Sequence, residues 1–371
     1  MSVPGSSLPA QIERLDRARV ARRLREPMRE ARITLSHGAG GKASHSLIDG
    51  MILPTLGAAA AALDEDSADE DSAVVSLAGL PSARLAFTTD SYVVSPLFFP
   101  GGDIGSLAVH GTINDLATAG AQPLCLSLAF ILEEGLEVDV LRSVVRSIGE
   151  AAIAAGVTIA TGDTKVVPRG KADRLFINTS GIGLVAEGRS LSALHVRVGD
   201  RVLLSGSIGE HGIAVMLARE ALEIEADIRS DSAPLHRMVA DVLAAAPSTR
   251  AFKDPTRGGV ATTLNEIARH AGVAIVIDER RIPVRADVRA ACEMLGLDPL
   301  HIANEGKLIA IVPPAEAGAA LQAMRAAAHG ADAAIIGEVL AGPQDMVLLK
   351  TEAGGSRVLD MLVGDPLPRI C

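Results

Sequence analysis

The sequence predicts a fold of mixed helices and strands, α/β or α+β, arranged in two or three domains. The chain has 371 residues, which is enough for that number of domains of ordinary size. Apolar runs of strand length alternate with helical patterns between about residues 33 and 188, and a second series of strands and helices opens at Val198. Hydrophobic residues make up 48% of the chain and aromatic residues only 2%, so Ala, Val, Leu and Ile must build the cores.

The charge and the cysteines limit the classes of function. A net charge of −10 and a pI near 5.4 argue against a nucleic-acid or membrane-surface binder, which would need a basic face. No apolar run reaches the roughly 18 residues of a membrane span. Cys125, Cys292 and Cys371 show no C-x-x-C spacing, and we expect the first two to be buried. We therefore expect a cytoplasmic protein in which Cys371 stays reduced.

The first elements surround a glycine-rich turn. Residues 1–32 mix arginines with acidic residues and are expected to form a flexible extension. A short strand from Ile33 then leads into a turn and a helix from Ser44 to Leu53, and the turn contains Gly38, Gly40, Gly41 and Lys42. Such a turn lets backbone N–H groups approach phosphate oxygens, although its spacing is not that of a Walker motif. A purely structural turn is the alternative.

The rest of the first domain shows clear periodicity. Strands are predicted at Ala73–Leu77, Leu85–Asp90, Leu124–Leu132, Val157–Ala160 and Leu175–Val185, and helices at Asp103–Ala119 and Val138–Ala155. The acidic run at residues 64–71 lacks the pattern of a calcium loop and is expected to be a surface loop.

Three aspartates lie at predicted strand ends or on a helix of this domain. Asp90 ends a strand, Asp115 lies on a helix and Asp163 follows the strand Val157–Ala160. Each by itself is typical of a cap or a turn. Together, with Lys165 two residues beyond the last, they indicate a Mg²⁺ ion held by carboxylates and phosphates. Lys165 could neutralise a phosphate or act as a base.

The second domain carries three further motifs. A strand in the segment Val198–Gly206 runs into a second glycine-rich turn, on which His211 is typical of a cap or surface histidine. Arg257, followed by two glycines at the start of a helix, indicates an anion site. Glu305 precedes the strand Leu308–Val312 and is a candidate for proton transfer, although an acid at this position often serves as a turn or cap.

The chain ends on a thiol. Pro366 and Pro368 exclude a helix over the last six residues and favour an extended backbone, so Cys371 lies at the tip of a tail. A free end could carry the thiol into an internal pocket and then to another protein. A frayed terminus with an incidental cysteine is the alternative.

These motifs resemble the PurM-like ATP-binding superfamily. The resemblance rests on the segments at residues 37–42, 88–90, 114–117, 162–167, 254–259 and 304–307. The terminal Pro-Arg-Ile-Cys at residues 368–371 narrows it to the carbamoyl dehydratases of hydrogenase maturation. The resemblance covers about residues 33–371 and leaves the acidic run at 64–71 unexplained.

The resemblance implies a two-domain α+β fold that dimerises through a barrel-like interface of the first domain. The implied domains are an ATP-binding domain at residues 33–188, an α/β domain at 189–348 and a mobile tail at 349–371. The implied cofactors are ATP and Mg²⁺. The residues expected to bind ATP or phosphate are Gly38, Gly40, Gly41, Lys42, Asn114, Asp163, Thr164 and Arg257. The expected Mg²⁺ ligands are Asp90, Asp115 and Asp163.

The resemblance also implies a reaction on the tail. The carbamoyltransferase HypF would carbamoylate Cys371, and the tail would fold into the active site. ATP would phosphorylate the amide oxygen, and Glu305 with Lys165 would handle the protons of the amide nitrogen. The resulting thiocyanate would pass its cyanide to iron on a HypC–HypD complex.

Two alternatives stay open at this point. Another ATP-dependent enzyme of the superfamily, of the aminoimidazole ribonucleotide, selenophosphate or thiamine phosphate type, would not need a C-terminal cysteine. A carrier that merely holds a cofactor precursor on Cys371 would not need ATP.

Overall fold

The structure is a computed structural model, and it describes residues 46, 73–77, 80–220, 226–362 and 370–371. The chain divides into two compact units. One comprises Met1–Ala62 with Leu362–Asp365, and the other comprises Leu63–Met361 with Pro366–Cys371. The architecture below is that of the second unit.

The described part of the chain contains both strands and helices. The strands are β1 (Ala73–Leu77), β2 (Leu80–Tyr92), β3 (Phe98–Phe99), β4 (Gly102–Asp103), β5 (Ala121–Glu133), β6 (Thr158–Val167), β7 (Leu175–Val185), β8 (Arg201–Leu204), β9 (Ala251–Lys253), β10 (Ala274–Asp278), β11 (Ile309–Val312), β12 (Ala334–Leu340), β13 (Met346–Lys350) and β14 (Ser356–Leu359). The α-helices are α1 (Ile104–Thr118), α2 (Val138–Ala155), α3 (Glu210–Glu220), α4 (His236–Ala245), α5 (Gly259–Ala271), α6 (Ala286–Leu295) and α7 (Ala317–Ala326).

The first sheet has five strands in the order β1-β2-β7-β5-β6. Strands β5 and β6 are parallel and are joined through α2, whereas the other neighbours are antiparallel. The inner face is covered by α1, against which α2 packs. Helix α1 begins where the Asp103 carboxylate accepts hydrogen bonds from the N–H groups of Gly105 and Ser106, which caps the helix.

The outer face of this sheet is exposed, although many of its side chains are apolar. Phe87, Leu124, Ile182 and Leu184 are each between 37% and 46% exposed. Strand β6 lies at the edge of the sheet, and the residues on both of its faces are exposed up to Val166. Isolated apolar side chains on a surface are common, but a continuous apolar sheet face usually belongs to an interface.

The second sheet has seven strands in the order β14-β13-β10-β12-β8-β11-β9. Alternate residues enter two cores, as in β11, where Ile309 and Ile311 pack with α5 and Ala310 and Val312 pack with α4 and α7. The sheet therefore has helices on both faces. The loops that precede α3, α5 and β11 all emerge from this layer, and they carry the candidate site.

Most predicted elements are confirmed. The bounds of β1, β7 and α2 agree with the predicted segments, and α1 differs by one residue at each end. The prediction that the strand beginning at Val157 stops at Ala160 is wrong, because β6 continues to Val167 and includes Asp163.

The predicted start of the tail also differs from the structure. Leu349 belongs to β13, and the segment that follows it forms β14, with Leu359 and Met361 buried. A hairpin of the seven-stranded sheet thus occupies the first part of the segment predicted to be mobile. The remaining domain boundaries stay predictions, and the extension 1–32, the turn 37–42 and the acidic run 64–71 lie outside the described residues.

Two further expectations concern exposure. Cys292 is buried as predicted, but Cys125 is only half-buried, because it lies on the outer face of the first sheet opposite Ile182.

Within the described ranges, no helix is both long enough and apolar enough to cross a membrane.

Candidate active site

The last two residues of the chain dock against the protein, with Ile370 buried and Cys371 half-buried. The Ile370 side chain is 2% exposed and packs in the core with Phe99, Ile213 and Ile302. Its carbonyl oxygen accepts a hydrogen bond from His211 Nε2 at 2.6 Å. The backbone N–H of Val93, next to the end of β2, donates to a terminal carboxylate oxygen of Cys371 at 3.2 Å. The end of the chain is therefore docked by both apolar packing and backbone hydrogen bonds.

The docked thiol contacts an arginine. Arg257 Nη2 lies 2.7 Å from Cys371 Sγ. Arg257 precedes α5 on a turn in which Gly258 and Gly259 have positive φ angles of 78° and 61°. A Cβ atom on Gly259 would lie 2.6 Å from the carbonyl oxygen of Leu300 and equally close to that of Ile302. Glycine is therefore required for this turn to pack closely enough to hold Arg257 at the thiol.

The surroundings of the thiol strongly disfavour its ionisation. Burial raises the pKa of Cys371 to about 12, and the carboxylates of Glu305 and Asp90 raise it further while Arg257 opposes them. The docked cysteine is therefore a neutral thiol. Since the thiolate is the nucleophilic form, the tail must leave this position to react as a nucleophile.

A buried carboxyl group lies beside this pair. Glu305 is 3% exposed, and within the described part of the chain its Oε1 atom has no hydrogen-bond partner. Burial raises the pKa of Glu305 well above its ordinary value, with further contributions from Asp254, Asp90 and Asp231, while Arg257 lowers it. A desolvated carboxylate with a vacant oxygen is suited to accept a proton from a group bound next to it.

The loop that carries Glu305 is fixed from two sides. Asn304 donates to the carbonyl oxygens of Pro255 and Ile302 and accepts from the N–H of Gly209. The buried carboxylate of Asp231 accepts from the N–H groups of Glu305 and Gly306 and forms an ion pair with Lys307 at 3.0 Å. A Cβ atom on Gly306 would lie 1.8 Å from the carbonyl oxygen of Asp231, so only glycine permits this approach.

Two further carboxylates flank a buried tyrosine on the inner face of the first sheet. Asp90 and Asp115 both raise the pKa of Tyr92, to which burial contributes most. Burial also raises the pKa of Asp90, while the N–H of Ser91, Tyr92 and Arg257 lower it. Asp115 accepts a hydrogen bond from the Thr88 hydroxyl at 2.9 Å. This pair lies on the side of the sheet where Cys371 is docked.

The predicted residues of β6 do not join this cluster within one chain. Lys165 Nζ lies 2.5 Å from Asp163 Oδ2, and both side chains are more than 60% exposed. The N–H of Thr164 donates to Asp163. Strands β7 and β5 separate β2 from β6, which corresponds to about 14 Å at the usual spacing between strands. The prediction that Lys165 accompanies Glu305 and Cys371 is therefore not met inside a single chain.

The same separation affects the predicted Mg²⁺ ligands. Asp90 and Asp115 are close to one another, but Asp163 is on the edge strand. Among the described residues there is no group of three or more acidic, histidine or cysteine side chains that could hold a metal ion. A three-aspartate site in one chain is thus contradicted by the strand order. Gly38, Gly40, Gly41 and Lys42 lie outside the described residues.

Asn114 has a different role from the one predicted. It is 1% exposed, and its amide nitrogen donates to the carbonyl oxygens of Ala233 and Glu305. Its amide oxygen accepts from the N–H of Leu235. Both donors are therefore engaged with backbone, and we correct the predicted ATP contact to a structural one that holds the Glu305 backbone.

Sequence reasoning missed two residues of the cluster. His211, expected to be a cap or surface histidine, is fully buried and contacts the docked tail. Asp231 lies in a polar segment without a motif. The sequence around Asp231 does not indicate the buried ion pair that Asp231 forms with Lys307.

Comparison with known families accounts for this architecture. A family model described as AIR synthase related protein, N-terminal domain, matches residues 69–185, and the corresponding C-terminal domain model matches residues 197–350. These two matches include β2, α1 and β6 on one side and the loops of Arg257 and Glu305 on the other. The fold is that of the AIR synthase-related, or PurM-like, proteins.

Individual relatives narrow the family. The carbamoyl dehydratase HypE of Rhodobacter capsulatus is 51% identical over 346 residues, which are 93% of this chain and 99% of that protein. The crystal structure of a HypE in complex with ATP has a TM-score of 0.76 at 47% identity and covers 92% of this chain and 100% of that one. A HypE–HypF complex structure has a TM-score of 0.76 at 48% identity, with 81% and 96% covered. The chain belongs to the HypE family, which confirms the resemblance predicted from its motifs.

Proposed function

We propose that the protein uses ATP to dehydrate an S-carbamoyl group on Cys371 to a thiocyanate. The product would supply the cyanide ligands of the iron centre of [NiFe]-hydrogenase. The observation that carries this proposal is the docked Cys371, whose Sγ lies 2.7 Å from Arg257 beside the buried Glu305. Relatives named carbamoyl dehydratase HypE and a HypE structure in complex with ATP support it.

The chemistry requires the loss of one oxygen and two protons from the carbamoyl group. When bound, ATP would supply a γ-phosphoryl group for the amide oxygen and release ADP, so that the oxygen could leave as phosphate. The amide nitrogen gives up both of its protons as the C–O bond breaks and the C≡N bond forms. The sulfur–carbon bond is kept throughout, so the product stays attached to the tail.

Glu305 is the proposed base for these protons. Among the described residues its Oε1 atom has no hydrogen-bond partner and could accept from an N–H donor, and its burial makes the carboxylate more basic than an exposed one. The hydrogen bonds from its loop to Asp231 hold its backbone in place. Positioned proton transfer of this kind contributes about 10²- to 10⁴-fold to a rate.

Arg257 is the proposed electrostatic partner of the carbamoyl group. In the docked tail its guanidinium contacts the sulfur atom that would carry that group. It is therefore suited to stabilise negative charge that develops on the oxygen, and it needs no reorganisation to do so. Arg257 was predicted to contact ATP, and we propose that it also contacts the carbamoyl group.

Asp90 and Asp115 are the residues of one chain that would hold Mg²⁺. Asp90 on β2 and Asp115 on α1 both act on the buried Tyr92, and Mg²⁺ is commonly bound through one or two carboxylates with phosphate oxygens and waters completing the shell. Gly38, Gly40, Gly41 and Lys42 would contact the phosphates of ATP. Asp163, Thr164 and Lys165 would reach ATP from a second copy.

A homodimer through the outer face of the first sheet is part of the proposal. Phe87 pairs with Ile182 in register, and Ile182 pairs with Cys125, so the exposed Phe87 and Ile182 and the half-buried Cys125 form a row across the outer face of the sheet. A second copy on this face would cover the row and the neighbouring edge strand β6. Exposed side chains of β6 would then be available to the partner's site, which would account for Lys165 and Asp163 in the family motif.

The tail also implies partners. We propose that the carbamoyltransferase HypF modifies the undocked Cys371, which the structure of a HypE–HypF complex supports. A HypC–HypD complex would accept the cyanide. We propose a cytoplasmic location for these exchanges, because Cys371 would stay reduced there.

Intact-protein mass spectrometry tests the proposed reaction. The protein is carbamoylated by HypF with carbamoyl phosphate, purified away from HypF and then given Mg·ATP. We expect a carbamoyl adduct on Cys371 that loses the mass of one water only with ATP, and an adduct on Glu305→Gln that forms but does not dehydrate. An adduct that never dehydrates would indicate a carrier, and ATP consumption without any adduct would indicate another enzyme of the superfamily.

A further inference from the structure

His211 lies between the docked tail and a loop of the second domain. Its side chain is fully buried near the start of α3, and its Nε2 atom is 2.6 Å from the carbonyl oxygen of Ile370. Its Nδ1 atom is 2.8 Å from the Ser230 hydroxyl. The imidazole ring stands edge-on to Phe99, with ring centroids 5.4 Å apart. Packing and both ring nitrogens therefore fix its orientation.

The hydrogen bonds around His211 have a defined direction. The carbonyl oxygen of Ile370 can only accept, so Nε2 carries the proton. The N–H of Ser232 donates to the Ser230 hydroxyl at 3.1 Å, and that hydroxyl can in turn donate to the bare Nδ1. The result is a chain of donors that runs from the Ser232 backbone through Ser230 and His211 to Ile370.

We propose that His211 is the receptor for the tail, a positioning residue that holds the Ile370 carbonyl so that the Cys371 sulfur meets Arg257 and Glu305. This inference rests on the proposed function, because it concerns the placement of the group that is dehydrated. The carbonyl that His211 holds directly precedes Cys371, and the Val93 N–H holds a terminal carboxylate oxygen of Cys371. Hydrogen bonds to the main chain on both sides of the Cys371 Cα atom fix the direction in which its side chain points.

The same loop joins the receptor to the base. We define the strap as residues 230–235. Ser230 orients His211, and the adjacent Asp231 accepts the N–H groups of Glu305 and Gly306. Ser232 contacts His110, and Leu235 donates to Asn114, so two residues of α1 hold the strap. Tail and base are therefore positioned by one short segment.

The alternative is that His211 merely fills space. Its contact with Phe99 and its burial would then be sufficient, and any ring of similar size would serve. Three variants separate these readings. His211→Phe keeps a ring but has no donor, His211→Gln places an amide nitrogen close to the position of Nε2, and His211→Asn places its amide only near Nδ1.

The first readout is alkylation of Cys371 without ATP or partner, so it does not depend on the dehydratase reaction. The protein carries Cys125→Ser, and iodoacetamide labelling at pH 8 is mapped by peptide mass spectrometry. The docked thiol is protonated and unreactive, so the labelling rate measures the undocked fraction. Loss of one buried hydrogen bond should raise the rate by roughly 3- to 10-fold in His211→Phe and His211→Asn.

Rescue by His211→Gln is the decisive result. A labelling rate near that of the parent in His211→Gln, with a raised rate in the other two variants, supports the proposal. Equal rates in His211→Gln and His211→Phe, or unchanged rates in all three, overturn it. Thermal unfolding of each variant is measured in parallel, and a variant that does not fold is replaced by Ser230→Ala, which should raise the labelling rate because it releases Nδ1.

A second readout uses the reaction itself. In single-turnover dehydration of carbamoylated protein, His211→Phe should be slower than the parent and His211→Gln should recover most of the rate. If the parent protein itself does not dehydrate, the proposed function fails while the labelling result still decides on the receptor.

Discussion

Arg257 donates a hydrogen bond from Nη2 to the Sγ atom of Cys371 across 2.7 Å. This contact lowers the pKa of the thiol, but burial outweighs it, so the pKa of docked Cys371 is raised from 9.0 to about 12. The docked thiol therefore retains its proton at a pH where the undocked thiol has lost it. Docking and protonation of Cys371 are linked.

The first prediction is that alkaline pH releases the tail. The docked state binds the proton more tightly, so docking is fully favourable below pH 9 and weakens as the pH rises from 9 towards 12. The ratio of docked to undocked tail should fall about tenfold per pH unit in this window. NMR of the labelled Ile370 δ1-methyl group measures it, because this methyl is buried only when the tail is docked.

The control for this prediction removes the ionisable thiol. Cys371→Ser should keep the docked Ile370 methyl signal to higher pH, and so should the carbamoylated protein, in which the sulfur carries no proton. A pH-driven loss of the signal in all three forms would mean that another group controls docking.

The second prediction concerns Glu305. Glu305→Gln should lower the rate of dehydration by about 10²- to 10⁴-fold because it removes the base. The carbamoylation of Cys371 should be unchanged. In the parent protein, the rate of dehydration should rise with pH through the raised pKa of Glu305. A pH-rate profile measured on purified carbamoylated protein tests this, and a profile that is flat above pH 4.5 would contradict it.

Glu305→Gln should also change the pH dependence of stability. The folded protein holds the Glu305 proton more tightly than the unfolded chain, so this group contributes stability below the unfolded pKa and loses it as the pH rises through the folded pKa. The Glu305→Gln variant has no carboxyl group at this position and therefore does not lose this contribution to stability as the pH rises. Its Tm relative to the parent should therefore increase as the pH rises above 4.5 towards the raised pKa of Glu305.

The periodicity of apolar residues in the sequence was sufficient to predict most of the helices and strands. Helix α2 was predicted with its observed bounds, because its apolar positions recur at helical spacing and Gly156 ends it with φ at 75°. The predicted strand was ended at Ala160, before Gly162 and Asp163, because glycine and aspartate are uncommon inside strands. In the structure these residues belong to β6, which is an exposed edge strand. The position of a strand within its sheet depends on distant segments, so a local sequence pattern does not predict it.

The same limit applies to the candidate site. Cys371, Glu305 and Arg257 were found because each belongs to a motif, and the structure brings all three together. His211 was missed because its partner, Ile370, lies 159 residues away in the chain. Asn114 was found by motif but misassigned, since only the fold shows that its amide is engaged by three backbone groups.

The third prediction concerns the ion pair of Asp231 and Lys307. Both side chains are at most 8% exposed, and Asp231→Asn would leave Lys307 with an uncompensated charge. Breaking a buried pair in this way costs about 3 to 5 kcal/mol, so the free energy of unfolding should fall by a similar amount. Because Asp231 raises the pKa of Glu305, the pH-rate profile should also shift to lower pH.

A nearby exposed pair provides the matched control. Asp227 forms an ion pair with Arg229 at 3.5 Å, and both side chains are at least 70% exposed. Asp227→Asn should change the unfolding free energy by less than about 1 kcal/mol and leave the pH-rate profile in place. Equal effects of the two substitutions on the profile would show that Asp231 does not act on Glu305.

The last prediction tests the dimer. Phe87 is 46% exposed on the outer face of the first sheet, in register with Ile182. Burying one phenylalanine contributes about 1.5 to 3 kcal/mol, and a two-fold interface buries it twice, so Phe87→Asp should convert the dimer to a monomer. Light scattering coupled to size-exclusion chromatography measures the mass. Ile153→Asp is the control, because Ile153 is 81% exposed on α2 and lies away from this sheet face.

If Lys165 of one copy serves the other copy's Glu305, monomeric Phe87→Asp should lose dehydration while still accepting a carbamoyl group. A monomer that dehydrates at the parental rate would show that one chain is sufficient.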